Sequence, residues 1–538
     1  MPRILGNMDR NPFSLTYGCM HRDYWFYKTS DFPDAVRQFA THAIAIAYKY
    51  ELPDNIYFGN EKVKDWAIAS LDFLTKIQHN DGSFDEFYPF QRGWAGPTAY
   101  VTYSSIESLR LLKDDISSRI YDRILNSIRK SANFIISYQQ KNESIANHHA
   151  IACLAVWSAY ELFDDVFLKK GYKKLWDGFL RYQTNEGWSV EADGLDPGYL
   201  TATISFLAKL YQKNQAEEIF HILQKAIDIC SYFVYPDGSY SGGIGSRETM
   251  HFYPHGFELM AERIPLAGSI AELMLKSLSE DKLVPPENMS DRYVGFRIPE
   301  FLQAYLDYTP VEIDLPPVPY QRETFVKYLP ESKVYVKNSP VFYFVANLAK
   351  GGVIKVFDKK RAKIVCNDYG WTGVLKSGEL ITSQFGNRNR VIKVDEYGIE
   401  IKGRLSVVPL GVVFSLHRNL FFRLLLLCVA LSTRFSFFFS GLIRKKLMVS
   451  KNEVPVVYRR RVSFKESEIN INDGIEIKKP LMIKTLFLGG EFSFRNIPQS
   501  RYFQAYELET RERVLTDDEL AELNKVGKRE FTRTINIE

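Results

Sequence analysis

Val311-Glu312-Ile313-Asp314-Leu315-Pro316-Pro317-Val318-Pro319 divides this chain in two. Proline fixes φ and has no N–H to donate, so neither a helix nor a central strand runs through such a stretch, and 311–325 reads as a linker. Before it, from about residue 34 to 310, apolar positions recur at helical spacing, as in 62–78 (KVKDWAIASLDFLTKIQ), 120–140 and 201–213. After it, 332–348 (SKVYVKNSPVFYFVANL), 352–358 (GVIKVFD), 389–396, 398–407 and 455–474 are rich in Val, Ile, Tyr and Phe with turn residues between them, and read as strands. The chain therefore reads as α+β and multidomain: a helical domain at 1–310 and an antiparallel β-sandwich at 326–538.

Gly-centred turns punctuate the helical part at Asp81-Gly82-Ser83, Asn185-Glu186-Gly187-Trp188 and Asp237-Gly238-Ser239. Such turns end ordinary helices. Repeated after successive helical segments, they also resemble the helix-hairpin units of an α/α toroid, whose loops at one end build a cleft.

With 538 residues, 46% of them hydrophobic, the chain can bury two cores. Its 69 basic and 64 acidic residues nearly balance, so the charge footprint of a nucleic-acid binder is missing. Cys19, Cys153, Cys230, Cys366 and Cys428 are dispersed, without metal-ligand pairing or a disulfide pattern. No metal or cofactor is expected. The start, MPRILGNMDRNPFSLTYG, has no apolar secretory core, which makes a cytoplasmic location the expectation. The stretch 405–446 is the most apolar of the chain, but Arg418, Arg423 and Arg434 cut it into runs below the roughly 20 residues of a spanning helix. It reads as an insertion, either an interfacial helix at the inner face of a membrane, with contact through 408–446, or a buried excursion from the sandwich.

Four motifs can carry chemistry. Asn147-His148-His149 opens a helix, where an amide, two imidazoles and the positive helix end can meet a carboxylate. Asp196-Pro197-Gly198-Tyr199 puts a phenol at a helix entrance, where a cation must help it if it is to act as a base. Gly245 to Glu258 holds Arg247, His251 and His255, which can clamp an anion or make loop salt bridges. Near the N-terminus Tyr24, Trp25 and Lys28 fit sugar stacking and equally fit a packed cap.

Together these pieces resemble the heparinase II/III family and its alginate-lyase relatives, which pair an α/α toroid with a β-sandwich. Asn147-His148-His149 matches the family's Asn-Asn-His type motif, with His148 where the second Asn is usual, and Pro197-Gly198-Tyr199 resembles its Pro-x-Tyr context. The resemblance implies His148, His149 and Tyr199 as catalytic residues. Asn147, Arg247, His251, His255, Tyr24, Trp25 and Lys28 then bind an anionic polysaccharide or oligosaccharide. The family's sandwich histidine has no counterpart in 349–358 (AKGGVIKVFD), so His251, His255, Lys350 or Lys355 stands in for it, or the chemistry is altered.

The implied reaction is C5 proton abstraction from a uronic acid followed by β-elimination, with the carboxylate neutralised by Asn147, His148 and Arg247. Return of the proton to the other face gives C5 epimerisation on a cell-surface or lipid-linked glycan. A toroid hydrolase using two among Asp81, Asp85, Glu86 and Asp193 is the rival enzyme. A non-catalytic glycan-binding protein is the third reading.

Overall fold

The computed structural model of the protein describes residues 1–86, 95–138, 145–191, 193–310, 314–385, 390–395, 397–408, 415–430, 435, 438, 452–479, 481–490, 493–494, 502–503, 505–508 and 513–537. Its helices are of two kinds. Ala95–Leu112, Ala146–Phe163 and Pro197–Asn214 carry apolar or small residues on every face and are buried nearly throughout, as a helix without a polar face must be. Glu61–Ile77, Ser118–Tyr138, Val166–Leu180 and Glu217–Ser231 are amphipathic and bury one stripe.

The buried helices form an inner ring. Thr41–Lys49 contacts Ala95–Leu112, and the contacts continue through Ala146–Phe163, Pro197–Asn214, His255–Met260 and Asp291–Leu306 back to Thr41–Lys49. The amphipathic helices pack their apolar stripes on this ring from outside. Starts are fixed by local chemistry: Asp196 accepts from the Tyr199 N–H with Pro197 in the first helical position, the arrangement that satisfies an orphan N–H and pre-sets φ.

The last helix of this half ends at Leu306, and the first strand begins at Phe325. β1 (Phe325–Leu329), β2 (Val334–Asn338), β3 (Phe342–Asn347), β4 (Val353–Asp358) and β5 (Lys363–Asp368) form an antiparallel meander in sequence order. The second sheet comprises β6 (Trp371–Leu375), β7 (Leu380–Thr382), β8 (Val391–Asp395), β9 (Gly398–Val407), β10 (Glu453–Phe464), β11 (Glu468–Ile477), β12 (Ile483–Leu488), β13 (Arg513–Val514) and β14 (Lys528–Asn536). Its order is β13-β12-β6-β7-β9-β10-β11-β14, with β8 beside β9. Strand alternation explains why β3 is buried on both sides. Tyr343 and Val345 join the core of the helical half, while Phe342, Phe344 and Ala346 join the core shared with the second sheet.

The sheets also grip the loop that follows Tyr240. Asn347 donates to the Ile244 carbonyl at 2.6 Å. Lys350 Nζ donates to the carbonyls of Gly243 and Gly245 at 2.8 and 3.1 Å, and the Tyr369 hydroxyl donates to Glu248 at 3.0 Å. Lys350, weighed as a stand-in for the missing histidine, thus braces a loop.

Of the apolar stretch 405–446, residues 405–407 belong to β9 and a helix covers Leu416–Ala430; 409–414, 431–434, 436–437 and 439–446 lie outside the described residues. Among the described residues no helix is long and apolar enough to cross a membrane.

Candidate functional site

The inner helices Ala95–Leu112, Ala146–Phe163, Pro197–Asn214 and Asp291–Leu306 each bring a polar residue to one buried network. Asn147 sits in the first turn of its helix, where backbone N–H groups lack partners, and Glu191 answers them: its Oε2 accepts from the Asn147 N–H at 3.2 Å and its Oε1 from the Asn147 side-chain amide at 2.9 Å. The Tyr100 hydroxyl donates to Asn147 Oδ1 at 2.7 Å. Arg247 reaches the same carboxylate, Nη2 to Glu191 Oε1 at 2.8 Å, while its Nε donates to Asp196 Oδ2 at 2.9 Å. Asp196 also accepts from the Thr249 hydroxyl at 2.9 Å. One carboxylate therefore caps the Tyr199 helix and holds the arginine beside it.

The Arg247 guanidinium lies 4.7 Å from the centre of the Tyr199 ring, close enough for a cation–π contact. The Tyr199 hydroxyl is 2.9 Å from that of Tyr293. His251 stacks on Tyr293 with centroids 4.6 Å apart and Tyr502 meets it edge-on at 5.4 Å. On the other side of Tyr293 in sequence, Arg292 pairs with Asp34 at 2.8 Å and with Glu86. His148, half-buried, packs edge-on against Tyr100. Gly96 makes room for it, since a Cβ there would stand 2.3 Å from its Nδ1.

Burial sets the charges. It holds the Tyr199 phenol well above its usual range despite Arg247, so the hydroxyl is a proton donor at rest. The Tyr293 phenol is raised for the same reason, against the pull of Arg292. Burial opposes the charge on Arg247, but Asp196 and Glu191 outweigh it and keep the guanidinium protonated. Burial pushes the Glu191 carboxyl up, with Arg247 opposing.

Asn147, His148, Tyr199, Arg247 and His251 thus fall into one cluster, and other expected residues do not. His149 follows Asn147 by two positions, a turn of about 200° round the helix, and its ring stacks on Tyr182 at 4.6 Å. His255 is drawn to Asp307, with Nε2 2.7 Å from the carboxylate. Trp25 donates its indole N–H to the Asn7 carbonyl at 2.7 Å, Tyr24 packs beside His21, and Lys28 is exposed; these three form part of the N-terminal cap. Arg247, expected as a clamp for substrate, has Nε and Nη2 already committed to Asp196 and Glu191, so it positions Tyr199.

Of the hydrolase candidates, Glu86 lies beside the network through its pair with Arg292. Asp81 accepts from the Ser83 N–H and hydroxyl at 3.0 and 2.6 Å within its own turn, Asp85 meets His79 at 3.0 Å, and Asp193 sits at φ 70° in a turn. Among the described residues no group of three or more His, Cys, Asp or Glu side chains could hold a metal ion.

Sequence reading missed Glu191, Tyr293, Tyr100 and Arg292. A signal existed for one of them. Arg292 lies in the first turn of Asp291–Leu306, where the helix dipole disfavours a cation and a carboxylate partner offsets the cost.

Residues 55–258 match the family described as the ulvan lyase N-terminal domain. That range holds Asn147, Glu191, Tyr199, Arg247 and His251 and stops short of Tyr293. No curated protein matches the chain. Among solved structures it is similar to the chondroitin AC lyase of Streptomyces coelicolor A3 in complex with chondroitin sulphate, at 11% identity and a TM-score of 0.54, over 90% of this chain and 66% of that one. Further similarities are to heparinase III, at 11% identity and a TM-score of 0.47 over 90% and 74%, and to the heparan sulfate lyase HepC of Pedobacter heparinus, at 11% and 0.40 over 84% and 63%. At these identities the likeness to the chondroitin lyase concerns the fold: a helical region followed by antiparallel sheets.

Proposed function

We propose that this protein is a polysaccharide lyase acting on anionic, uronic-acid-containing glycans, built as an α/α toroid with a β-sandwich. The observation that carries this reading is the buried Tyr199 hydroxyl, paired with Tyr293 and held under Arg247 in one network with Asn147. The match at 55–258 and the fold shared with the chondroitin lyase support it.

The C5 proton of a uronate is removable once hydrogen bonds neutralise the carboxylate and stabilise the enolate-like intermediate. Asn147, whose Nδ2 keeps a second N–H beyond the one given to Glu191, and His148 are the groups assigned to that carboxylate. His251, beside Tyr293, takes the C5 proton in place of His149, the electron pair forms the C4–C5 double bond, and the C4–O4 bond breaks. Tyr199, protonated at rest, gives its proton to the departing O4. Without the break, proton return to the opposite face is C5 epimerisation.

The experiment is incubation with anionic polysaccharides, chondroitin sulphate, heparan sulfate and ulvan among them, in heavy water. Ultraviolet absorbance follows the conjugated unsaturated uronate and mass spectrometry follows deuterium at C5. A lyase gives the absorbance, and Tyr199→Phe removes it while glycan binding persists. Deuterium without absorbance means epimerisation. A folded protein that gives neither with any polymer is not this enzyme.

We also propose peripheral membrane contact through the helix Leu416–Ala430. Leu416, Leu420, Phe421, Leu424 and Leu427 are each 56–77% exposed. No acidic residue lies between Glu400 and Glu453, whereas Arg418, Arg423, Arg434, Arg444, Lys445 and Lys446 do. Exposed apolar side chains on a helix that also carries Arg418 and Arg423, the latter meeting Asp31 at 3.2 Å, suit an anionic lipid surface. The double variant Leu420→Glu, Leu424→Glu should stay folded and lose co-sedimentation with phosphatidylglycerol vesicles; retained co-sedimentation would rule the contact out.

A further inference from the structure

A cavity of about 540 Å³ lies between the helices His255–Met260, Pro265–Ser279 and Asp291–Leu306, within the roughly 300–1,000 Å³ typical of small-molecule sites. Its walls are mostly apolar, with Met274, Leu278, Leu283, Val284 and Phe301 among them. Arg297 also lines it and is only 1% exposed. Nη2 of Arg297 donates to the Phe252 carbonyl. Its Cζ lies over aromatic rings, 3.8 Å from the centre of Tyr253 and 5.2 Å from that of Phe301. The Tyr253 hydroxyl interacts with the guanidinium but outside hydrogen-bond geometry, which leaves Nε and Nη1 without an acceptor, and among the described residues no carboxylate pairs with it.

A buried cation with unmet N–H groups is among the costlier features a fold can carry. The Tyr253 and Phe301 rings answer part of the charge, whereas Nε and Nη1 are left without an acceptor. Both atoms are closed to solvent, so an anion entering the cavity reaches them as the Arg297 side chain turns toward it, and the apolar walls call for hydrocarbon behind that anion. Glu258, also on the wall, does not supply the anion: burial and Glu272 push its carboxyl up to about 7, and it makes no ion pair with Arg297.

We propose that this cavity binds an anionic amphiphile, an aliphatic chain ending in a carboxylate that accepts from Arg297 while the chain lies along Met274, Leu278 and Phe301. The site is separate from the Tyr199 network and does not depend on the lyase reading.

Decanoate and decanol titrated into the full chain by calorimetry test it. The wild type should bind decanoate about tenfold or more tighter than decanol, the margin expected of a charge-assisted hydrogen bond in a dry site. Arg297→Met should erase that preference and raise the thermal midpoint, because an apolar chain replaces an unpartnered charge. Ala271→Phe, which fills the cavity from Pro265–Ser279, should abolish binding of both ligands with the circular dichroism unchanged. The proposal is overturned if neither ligand binds the wild type, if Arg297→Met binds decanoate as tightly as the wild type, or if binding survives Ala271→Phe. A lowered midpoint in Arg297→Met would make the arginine a structural brace and would equally overturn it.

Discussion

Arg247→Met is the perturbation that most directly probes the network around Tyr199. The guanidinium reaches Asp196 at 2.9 Å and Glu191 at 2.8 Å, and the three side chains are 7%, 0% and 3% exposed. Removing one partner of a buried ion pair leaves the other charged and unpaired, at about 3–5 kcal/mol. Asp196 keeps the Thr249 hydroxyl and the Tyr199 N–H, and Glu191 keeps both Asn147 donors, which places the expectation near the lower end, about 3 kcal/mol. Arg247→Lys should fall between, because one ammonium cannot serve both oxygens in the planar geometry of a guanidinium. Adding Glu191→Gln to Arg247→Met should recover part of the loss, since the orphaned charge is gone.

The cost should also depend on pH. Burial already raises the folded-state pKa of Glu191 against the opposition of Arg247, and without the arginine it rises further. A carboxyl whose folded pKa exceeds its unfolded value binds more protons in the fold, so the stability it contributes is complete below the unfolded pKa and is lost as pH rises through the folded one. The penalty of Arg247→Met is therefore larger at about pH 8 than at about pH 5. Urea unfolding followed by helical circular dichroism and by tryptophan fluorescence measures it. A penalty under about 1 kcal/mol, or one that shrinks with rising pH, would refute the ion-pair reasoning.

Three more changes probe the surroundings. Tyr293→Phe removes the hydroxyl 2.9 Å from that of Tyr199 and should lower kcat by about tenfold with KM little changed, against a loss of at least about a hundredfold for Tyr199→Phe; steady-state kinetics on whichever glycan is cleaved separates the two. Lys350→Met removes the donor to Gly243, Gly245 and Ser493, and hydrogen exchange should show faster exchange in residues 241–250 with the sheets unaffected. Gly256→Ala places a Cβ 2.6 Å from the backbone of Ser205, forcing His255–Met260 off its neighbour in the inner ring at a cost of about 1–3 kcal/mol by thermal unfolding.

Much of the helical half was legible because each element announces itself locally. The stripe of Glu61–Ile77, the Asp-Pro start of Pro197–Asn214 and the change of composition after the prolines at 316, 317 and 319 can all be read from neighbours in sequence. Motif reading singled out Asn147, Tyr199, Arg247 and His251, which the fold brings into one cluster. It failed where direction mattered. His148 and His149 are adjacent, yet about 100° of helical rotation sends one toward Tyr100 and the other toward Tyr182. His255 shares a motif with Arg247 but begins its own helix after Pro254, which turns it toward Asp307. Glu191 and Tyr293 carry no motif at all. Each is a single polar residue whose meaning comes from ring closure, when helices far apart in sequence bring their starts together.

That mode of assembly bears on how the function can be tested. Asp196 caps the helix that carries Tyr199, anchors Arg247 and accepts from Thr249, so an Asp196 or Arg247 variant without activity does not distinguish lost chemistry from a displaced helix start. Tyr199→Phe does. The ring keeps its volume and its place under the guanidinium, and the one hydrogen bond lost is to Tyr293, a buried neutral pair worth roughly 0.5–1.5 kcal/mol. A Tyr199→Phe protein that unfolds within about that margin of the wild type, binds glycan and fails to eliminate would tie the proton to this hydroxyl. One that eliminates at the wild-type rate would leave the proton for O4 to come from His251 or from outside the network.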